Sequence, residues 1–189
     1  MVSTTNSILQ DRLNLARAIY DCAHLTGQFL LRSGKTSTEY FDKYQFESDP
    51  KLLKKIAQSL APLVPKGTEY LGALEMGGIP IAIAVSMESG IPVVFVRKTA
   101  KDYGTCKFAE GPAIKGKKLT LIEDVITTGG QVVISAHDLR SEGAIIEHIL
   151  CVIDRSEGQT AKIEQAGLKH LALFTMAELK SAGETGCKV

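Results

Sequence analysis

The chain has 189 residues, 44% hydrophobic and 23% charged, with 6% aromatic and no Trp, which suits one α/β domain better than two independent ones. Lys and Arg number 22 against 21 Asp and Glu, a formal net charge of +1. No global basic field of the kind a dedicated nucleic-acid or membrane-surface binder carries is therefore present, and any anion site must be local.

The N-terminus is polar, and the longest near-apolar stretch, Ile79 to Met87, falls far short of the roughly 20 residues that span a bilayer. Neither secretion nor membrane insertion is indicated. Cys22, Cys106, Cys151 and Cys187 lack C-x-x-C spacing, and none lies at a zinc-ligand interval from a His. Reduced thiols in a cytoplasmic protein, with no protein-held metal, are the expectation.

From Ser7 to His24 the apolar residues Ile8, Leu9, Leu13, Leu15, Ala16, Ile19 and Tyr20 fall mostly at intervals of three and four, predicting an amphipathic helix that ends before Gly27. Short strands at Phe29–Leu31 and Tyr40–Phe41 flank a turn through Ser33, Gly34 and Lys35. Asp49 and Pro50 form a helix start, since an Asp side chain accepts orphan amide protons and Pro at the first position sacrifices no internal bond. That helix is expected to reach about Leu63.

Beyond Gly67, strands and helices alternate: strand Tyr70–Leu74, helix Ile79–Glu88, strands Pro92–Val96 and Lys118–Glu123, helix Gly130–Ser141, strand Ala144–Ile153. A helix at Ala161–Ala166 and a strand at His170–Phe174 complete the edge. Parallel strands need crossovers and helices of this length supply them, so the fold class is α/β, an open, mostly parallel sheet flanked by helices. No repeat or linker divides the chain. Residues 1–189 read as a single domain, with 1–66 as the N-terminal part, 67–175 as the core and 176–189 as a C-terminal helix and tail. The long irregular connection Arg97 to Gly116, rich in Lys and Gly, has the character of a functional lid.

The most informative segment runs Leu119, Thr120, Leu121, Ile122, Glu123, Asp124, Val125, Ile126, Thr127, Thr128, Gly129, Gly130, Gln131. An apolar strand leads into two acids, a hydroxylated Gly-rich turn and a helix. Consecutive amides in such a turn, backed by the positive end of a helix dipole, cradle a phosphate. Two acids beside the cradle would repel the phosphate itself, so they suit sugar hydroxyls or a magnesium ion, and the whole suits a ribose phosphate. It is not a P-loop: Gly34, Lys35 and Thr36 have the tail of one, but position 29 is Phe.

Glu123 to Gly130 resembles the phosphoribosyl diphosphate signature of the type I phosphoribosyltransferases. Val96 to Thr105 resembles the catalytic loop of the orotate phosphoribosyltransferases, and Phe29 to Asp42 their N-terminal hood. In the family's order the likeness runs from about Phe29 to Glu157.

The resemblance implies a type I phosphoribosyltransferase fold with a small hood and a mobile loop at 97–110. It also implies transfer of the phosphoribosyl group of 5-phospho-α-D-ribose 1-diphosphate to orotate, giving orotidine 5′-phosphate and diphosphate. Positive charge develops on the sugar and negative charge on the leaving diphosphate, so cations and exclusion of water are needed there. Lys101, Arg97, Lys98 and Tyr103 are the implied catalytic residues. Lys98 serves its own subunit, and Arg97, Lys101 and Tyr103 the neighbouring subunit of a homodimer. Many family members have His at the position of Tyr103, whose hydroxyl still offers a hydrogen bond to diphosphate.

The implied contacts to phosphoribosyl diphosphate are Glu123, Asp124, Val125, Ile126, Thr127, Thr128, Gly129, Gly130 and Gln131, with Gly77, Gly78 and Arg32. Many orotate enzymes carry Lys where this chain has Gly77, which leaves one expected cation missing. Thr127, Arg155, Tyr40 and Phe41 are implied for orotate. Magnesium enters with the diphosphate, its ligands coming largely from substrate and water. The partners are these small molecules and a second subunit, with no nucleic acid and no membrane. The rival readings are a phosphoribosyltransferase for another base and a non-catalytic regulator that responds to phosphoribosyl diphosphate.

Overall fold

The computed structural model describes residues 2–31, 34–99 and 108–184. Helix α1 (Val2–Ala23) starts earlier than its apolar period predicts, and buries Leu15, Ala16, Ile19 and Ala23 while Ile8, Leu9 and Leu13 stay exposed. The chain then turns into strand β1 (His24–Leu30), which pairs antiparallel with β2 (Thr36–Phe41). Both strands are longer than expected. The helix ends before Gly27 as expected, and Gly27 itself lies within β1, where the pairing register shifts between Thr26 and Phe29. That irregularity breaks the strict alternation by which a strand is read from sequence.

A short helix, α2 (Lys43–Ser48), was not anticipated. Asp42 caps it by accepting from Tyr44 N at 3.2 Å, and Phe46 is fully buried beneath it. Helix α3 (Pro50–Leu60) starts as predicted, with Asp49 accepting from Lys51 N and Leu52 N at 2.8 and 3.0 Å. It tightens into a 3₁₀ turn at Ala61–Leu63, which contains Pro62.

The core follows as β3 (Tyr70–Leu74), α4 (Gly78–Ser89), β4 (Val93–Val96), β5 (Ala109–Glu110), β6 (Lys118–Ile126), α5 (Gly130–Ser141), β7 (Ile145–Asp154), α6 (Ala161–Gln165), β8 (Lys169–Thr175) and α7 (Met176–Glu184). The six strands lie in the order β5-β4-β3-β6-β7-β8, parallel except for β5, which runs antiparallel to β4. β5 corrects the expectation of an irregular stretch from Arg97 to Gly116: Phe108, Ala109 and Ile114 are buried, and Phe108 O accepts from Arg97 N at 3.0 Å. β6 runs past Glu123 to Ile126, held by β7 up to the pair Ile126 with Asp154.

Alternating strand residues feed two cores. Leu71, Ala73, Ile122, Leu150 and Val152 pack on the face covered by α1, α3 and α4, and Leu119, Leu121, Ile149 and Cys151 on the face covered by α5 and α6. Burial on both faces explains the nearly continuous apolar strands. Chain order reverses between β3 and β6, and in open α/β sheets ligands bind outside the carboxyl ends of the strands at such a switch point.

Candidate active site

Glu123 to Ile126 end β6 itself and Tyr40 and Phe41 end β2, and the other described segments that the sequence singled out lie just past strand ends of the main sheet. Glu75–Gly78 follows β3, Arg97 and Lys98 follow β4, Thr127–Gln131 follows β6 and Arg155 follows β7. The sheet therefore brings together residues as far apart in sequence as Gly77 and Arg155.

One cavity, of about 350 Å³, is lined by Glu123, Val125–Val132, Glu75, Met76, Lys98, Lys43 and Tyr44. Gly129 has φ 67°, a left-handed conformation that Gly adopts without cost, and a Cβ there would lie 2.6 Å from Ile163 Cγ1. The turn thus packs closely against α6 and leads into α5, whose first amides have no side-chain cap. Unsatisfied amides at a helix N-terminus are donors for an anion.

The loop after β3 presses on the same strand end. A Cβ on Gly78 would lie 2.3 Å from the Ile122 carbonyl oxygen, and one on Gly77 would lie 1.6 Å from Asp124 Oδ2. Gly77 has an ordinary right-handed φ of −70°, so close approach requires glycine here, not backbone conformation.

The two acids face different surroundings. Glu123 lines the cavity, whereas Asp124 is 0% exposed and turned toward Gly77, with Oδ1 accepting from Val125 N and Oδ2 paired to the Lys43 ammonium. Glu47, also buried, stands beside them, with no donor facing its Oε1. Burial first, then the hydrogen bond and charge of Asp124, push the Glu123 and Glu47 carboxyls each up to about 9. Burial opposes ionisation of Asp124 too, but hydrogen bonds from Glu123, Glu47 and Lys43 outweigh it and hold its pKa below the usual range. Of the three acids Asp124 carries the charge, and a neutral Glu47 donates to it, giving Oε1 a role. Burial lowers the pKa of Lys43, but hydrogen bonding to Asp124 and the charges of Asp124 and Glu47 outweigh that and raise it. Neither Lys43 nor Glu47 was singled out from the sequence. The only signal was two charged residues in a segment with no evident period.

A second cavity, of about 270 Å³, is lined by Thr127, Arg155, Tyr40, Phe41, His24 and Lys180, among others. All four residues assigned to the base from sequence meet here. Tyr40 is 44% exposed and tilts against Phe29 at 5.5 Å between ring centroids, while Phe41 also packs on the core. Asp154 Oδ1 accepts from Ser156 N at 2.7 Å, ordering the turn that carries Arg155. On the other side Asp154 Oδ2 lies 3.8 Å from His170 Nδ1. Thr127 borders both cavities.

Lys98 lines the first cavity, and its backbone N donates to Glu75 Oε1. Among the described residues Arg97 Nε is buried without a hydrogen-bond partner. Arg32, Lys101 and Tyr103 lie outside the described residues, as do Cys106 and Cys187. Larger grooves of about 550 and 450 Å³ run beside α1, the second also bordered by Ala177 and Glu178 at the start of α7, but among the described residues no glycine lines either.

The chain is 51% identical over 172 residues to an orotate phosphoribosyltransferase of a Nocardioides species, spanning 91% of this chain and 96% of that one. It belongs to the orotate phosphoribosyltransferases. No family model matches it. Among solved structures, the orotate phosphoribosyltransferase of Mycobacterium tuberculosis in complex with Fe(III) dicitrate superposes with TM-score 0.80 at 27% identity, covering 89% of this chain and 98% of that one. The complex of that enzyme with 5-phospho-α-D-ribosyl 1-diphosphate has the same fold at TM-score 0.76 and 24% identity, covering 90% of this chain and 99% of that one. The family and the mixed, mostly parallel sheet expected from the sequence are thus found.

Proposed function

We infer that this chain transfers the phosphoribosyl group of 5-phospho-α-D-ribose 1-diphosphate to orotate, the step that makes orotidine 5′-phosphate in pyrimidine synthesis. The observation that carries this reading is Thr127, which joins a phosphate cradle on one side to a base-sized cavity with a guanidinium on the other. Family membership supports the same reaction.

The residues divide the work. Amides of Thr127 to Gln131 hold the 5′-phosphate, Glu123, with Asp124 behind it, takes the ribose hydroxyls, and Gly77 and Gly78 admit the diphosphate. Arg155 receives the carboxylate or an imide oxygen of orotate, for which a planar guanidinium is well shaped. Tyr40 and Phe41 cover the ring. As the bond from C1 to diphosphate breaks and the base nitrogen attacks C1, Lys98 favours the departing oxyanions.

Arg97, Lys101 and Tyr103 act from a loop that closes over the substrates and excludes water, and Arg32 adds charge from the hood. The diphosphate would enter as its magnesium complex, the ion's ligands coming largely from substrate and water, and the ion would offset charge on the diphosphate.

Two subunits share each site. Helix α4 supports this: Ile83 and Met87, one turn apart, are exposed on a helix already apolar on its buried side, and Phe95 of β4 is exposed as well. A helix apolar all round is covered on every side, and a second copy would cover this one. Among the described residues no helix is long and apolar enough to cross a membrane, and a cytoplasmic location fits the substrates.

The deciding assay supplies magnesium and 5-phospho-α-D-ribose 1-diphosphate with orotate, and in parallel with uracil, adenine, guanine, hypoxanthine or xanthine. Turnover of orotate alone is expected. Turnover of another base would keep the phosphate site and remove the roles of Arg155, Tyr40 and Phe41, and tight binding without any turnover would make the protein a regulator.

A further inference from the structure

Position 77 has no room for a side chain, because a Cβ there would lie 1.6 Å from Asp124 Oδ2 and 3.1 Å from Glu47 Oε1. The cation beside this loop comes from α2 instead, where Lys43 pairs with Asp124 Oδ2. A buried carboxylate needs a partner, and that need alone would make Lys43 a counter-ion.

Its placement goes further. Asp124 is wholly buried, but the Lys43 side chain is 32% exposed and lines the cavity with Lys98, Glu75 and the Thr127–Gln131 turn. An ammonium has three donors, and one bond to Asp124 leaves capacity for a ligand. Without Lys43, the Asp124 carboxylate just behind the cavity would be left uncompensated where a polyanion approaches. A cation placed between that carboxylate and the cavity lets a phosphorylated ligand approach.

We propose that Lys43 is a binding and specificity-determining residue for phosphoribosyl diphosphate. It neutralises Asp124 and gives its remaining donors to diphosphate oxygens beside Gly77 and Gly78, supplying from α2 the charge that position 77 cannot carry. This rests on the substrate assignment above, which the unmodified enzyme tests by turning over orotate; Lys43 is tested by the ratio of variant to unmodified enzyme.

Lys43→Met, Lys43→Gln and Lys43→Arg are compared for the KM of each substrate, for calorimetric binding of phosphoribosyl diphosphate without orotate, and for melting temperature. The Gln variant keeps a donor for Asp124, so it folds even if the Met variant does not. Losing a hydrogen bond to a charged group should raise the KM and Kd for phosphoribosyl diphosphate about tenfold or more in the Met and Gln variants. The orotate KM should hold, and Arg should restore part of the affinity. A folded Gln variant that melts lower yet binds phosphoribosyl diphosphate as the unmodified enzyme does would overturn the proposal, as would an equal rise in both KM values.

Discussion

Gly77 lies directly against the carboxylate of Asp124, so that a Cβ added at position 77 would fall 1.6 Å from Asp124 Oδ2. The loop after β3 and the strand end of β6 are therefore one packed unit, and the spacing between that loop and Asp124 is set by two hydrogen-only side chains, Gly77 and Gly78. Substituting either with Ala separates these elements. In Gly78→Ala the new methyl meets the Ile122 backbone carbonyl at 2.3 Å, which cannot rotate away, whereas in Gly77→Ala it meets a side chain. Overpacking of this kind costs about 1–3 kcal/mol, or a fall in Tm of roughly 2–10 °C for a domain of this size. Gly78→Ala should show the larger fall in a thermal melt, and Gly77→Ala the larger rise in KM for phosphoribosyl diphosphate relative to its loss of stability. The reverse order would mean that the loop is held by contacts other than these.

Glu47 gives the cluster a pH dependence of definite sign. Burial, with hydrogen bonding to Asp124, pushes its carboxyl from the ordinary 4.5 to about 9. The native state thus keeps a proton that the unfolded chain releases, and between those values stability falls as pH rises. The contribution is fully present below about 4.5 and lost as pH passes about 9. Glu47→Gln imitates the neutral carboxyl and does not titrate. The melting temperature of the unmodified protein should therefore drop relative to Glu47→Gln between pH 5 and pH 9. A difference that stays flat across this range would show that Glu47 is ionised in the native protein.

The fold and most of the site were legible because they rest on local chemistry. Asp49 and Pro50 announced α3, and Glu123 to Gln131 announced a strand, a glycine turn and a helix start in order. Arg155 lies just past an apolar strand, as its sequence context indicated. What escaped depends on contacts between distant segments. The six-residue helix α2 has too few turns to show a period, and its two charged residues, Lys43 and Glu47, acquire meaning only where they meet Asp124 about 80 positions later. The two-residue strand β5 is defined by its pairing with β4 and has almost no propensity of its own to read. Gly77 looked like an amide donor with a lysine missing. The carboxylate packed against it could be seen only in three dimensions.

Arg155 stands in the base cavity with Thr127, Tyr40 and Phe41, while the phosphate contacts lie on the other side of Thr127. Arg155→Ala should raise the orotate KM by about tenfold to a hundredfold, the range for a lost hydrogen bond to a charged group. The KM for phosphoribosyl diphosphate should change little. Arg155→Lys should recover only part of the loss, because a point charge replaces a planar fork. Initial-rate measurements varying each substrate separately decide this, and a matching rise in both KM values would remove Arg155 from base recognition.

The proposal of a site shared between two subunits makes two linked predictions. Replacing Ile83 and Met87 with Glu puts two charges on the exposed apolar side of α4, which in a dimer would be desolvated without partners. Light scattering after gel filtration should show the monomer mass for this double variant, with activity lost although the fold persists by circular dichroism. The second prediction concerns which chain supplies which residue. Lys101→Ala and Asp124→Asn should each inactivate the proposed homodimer, but in a mixed dimer one of the two sites would combine an intact Lys101 from one chain with an intact Asp124 from the other. Mixing the two inactive proteins should restore activity toward a quarter of the unmodified rate, since about half of the dimers are mixed and each has one complete site. Subunit exchange verified by mass, with no recovered activity, would place Lys101 in the same subunit as the Asp124 it serves, and the site would then be complete within one chain.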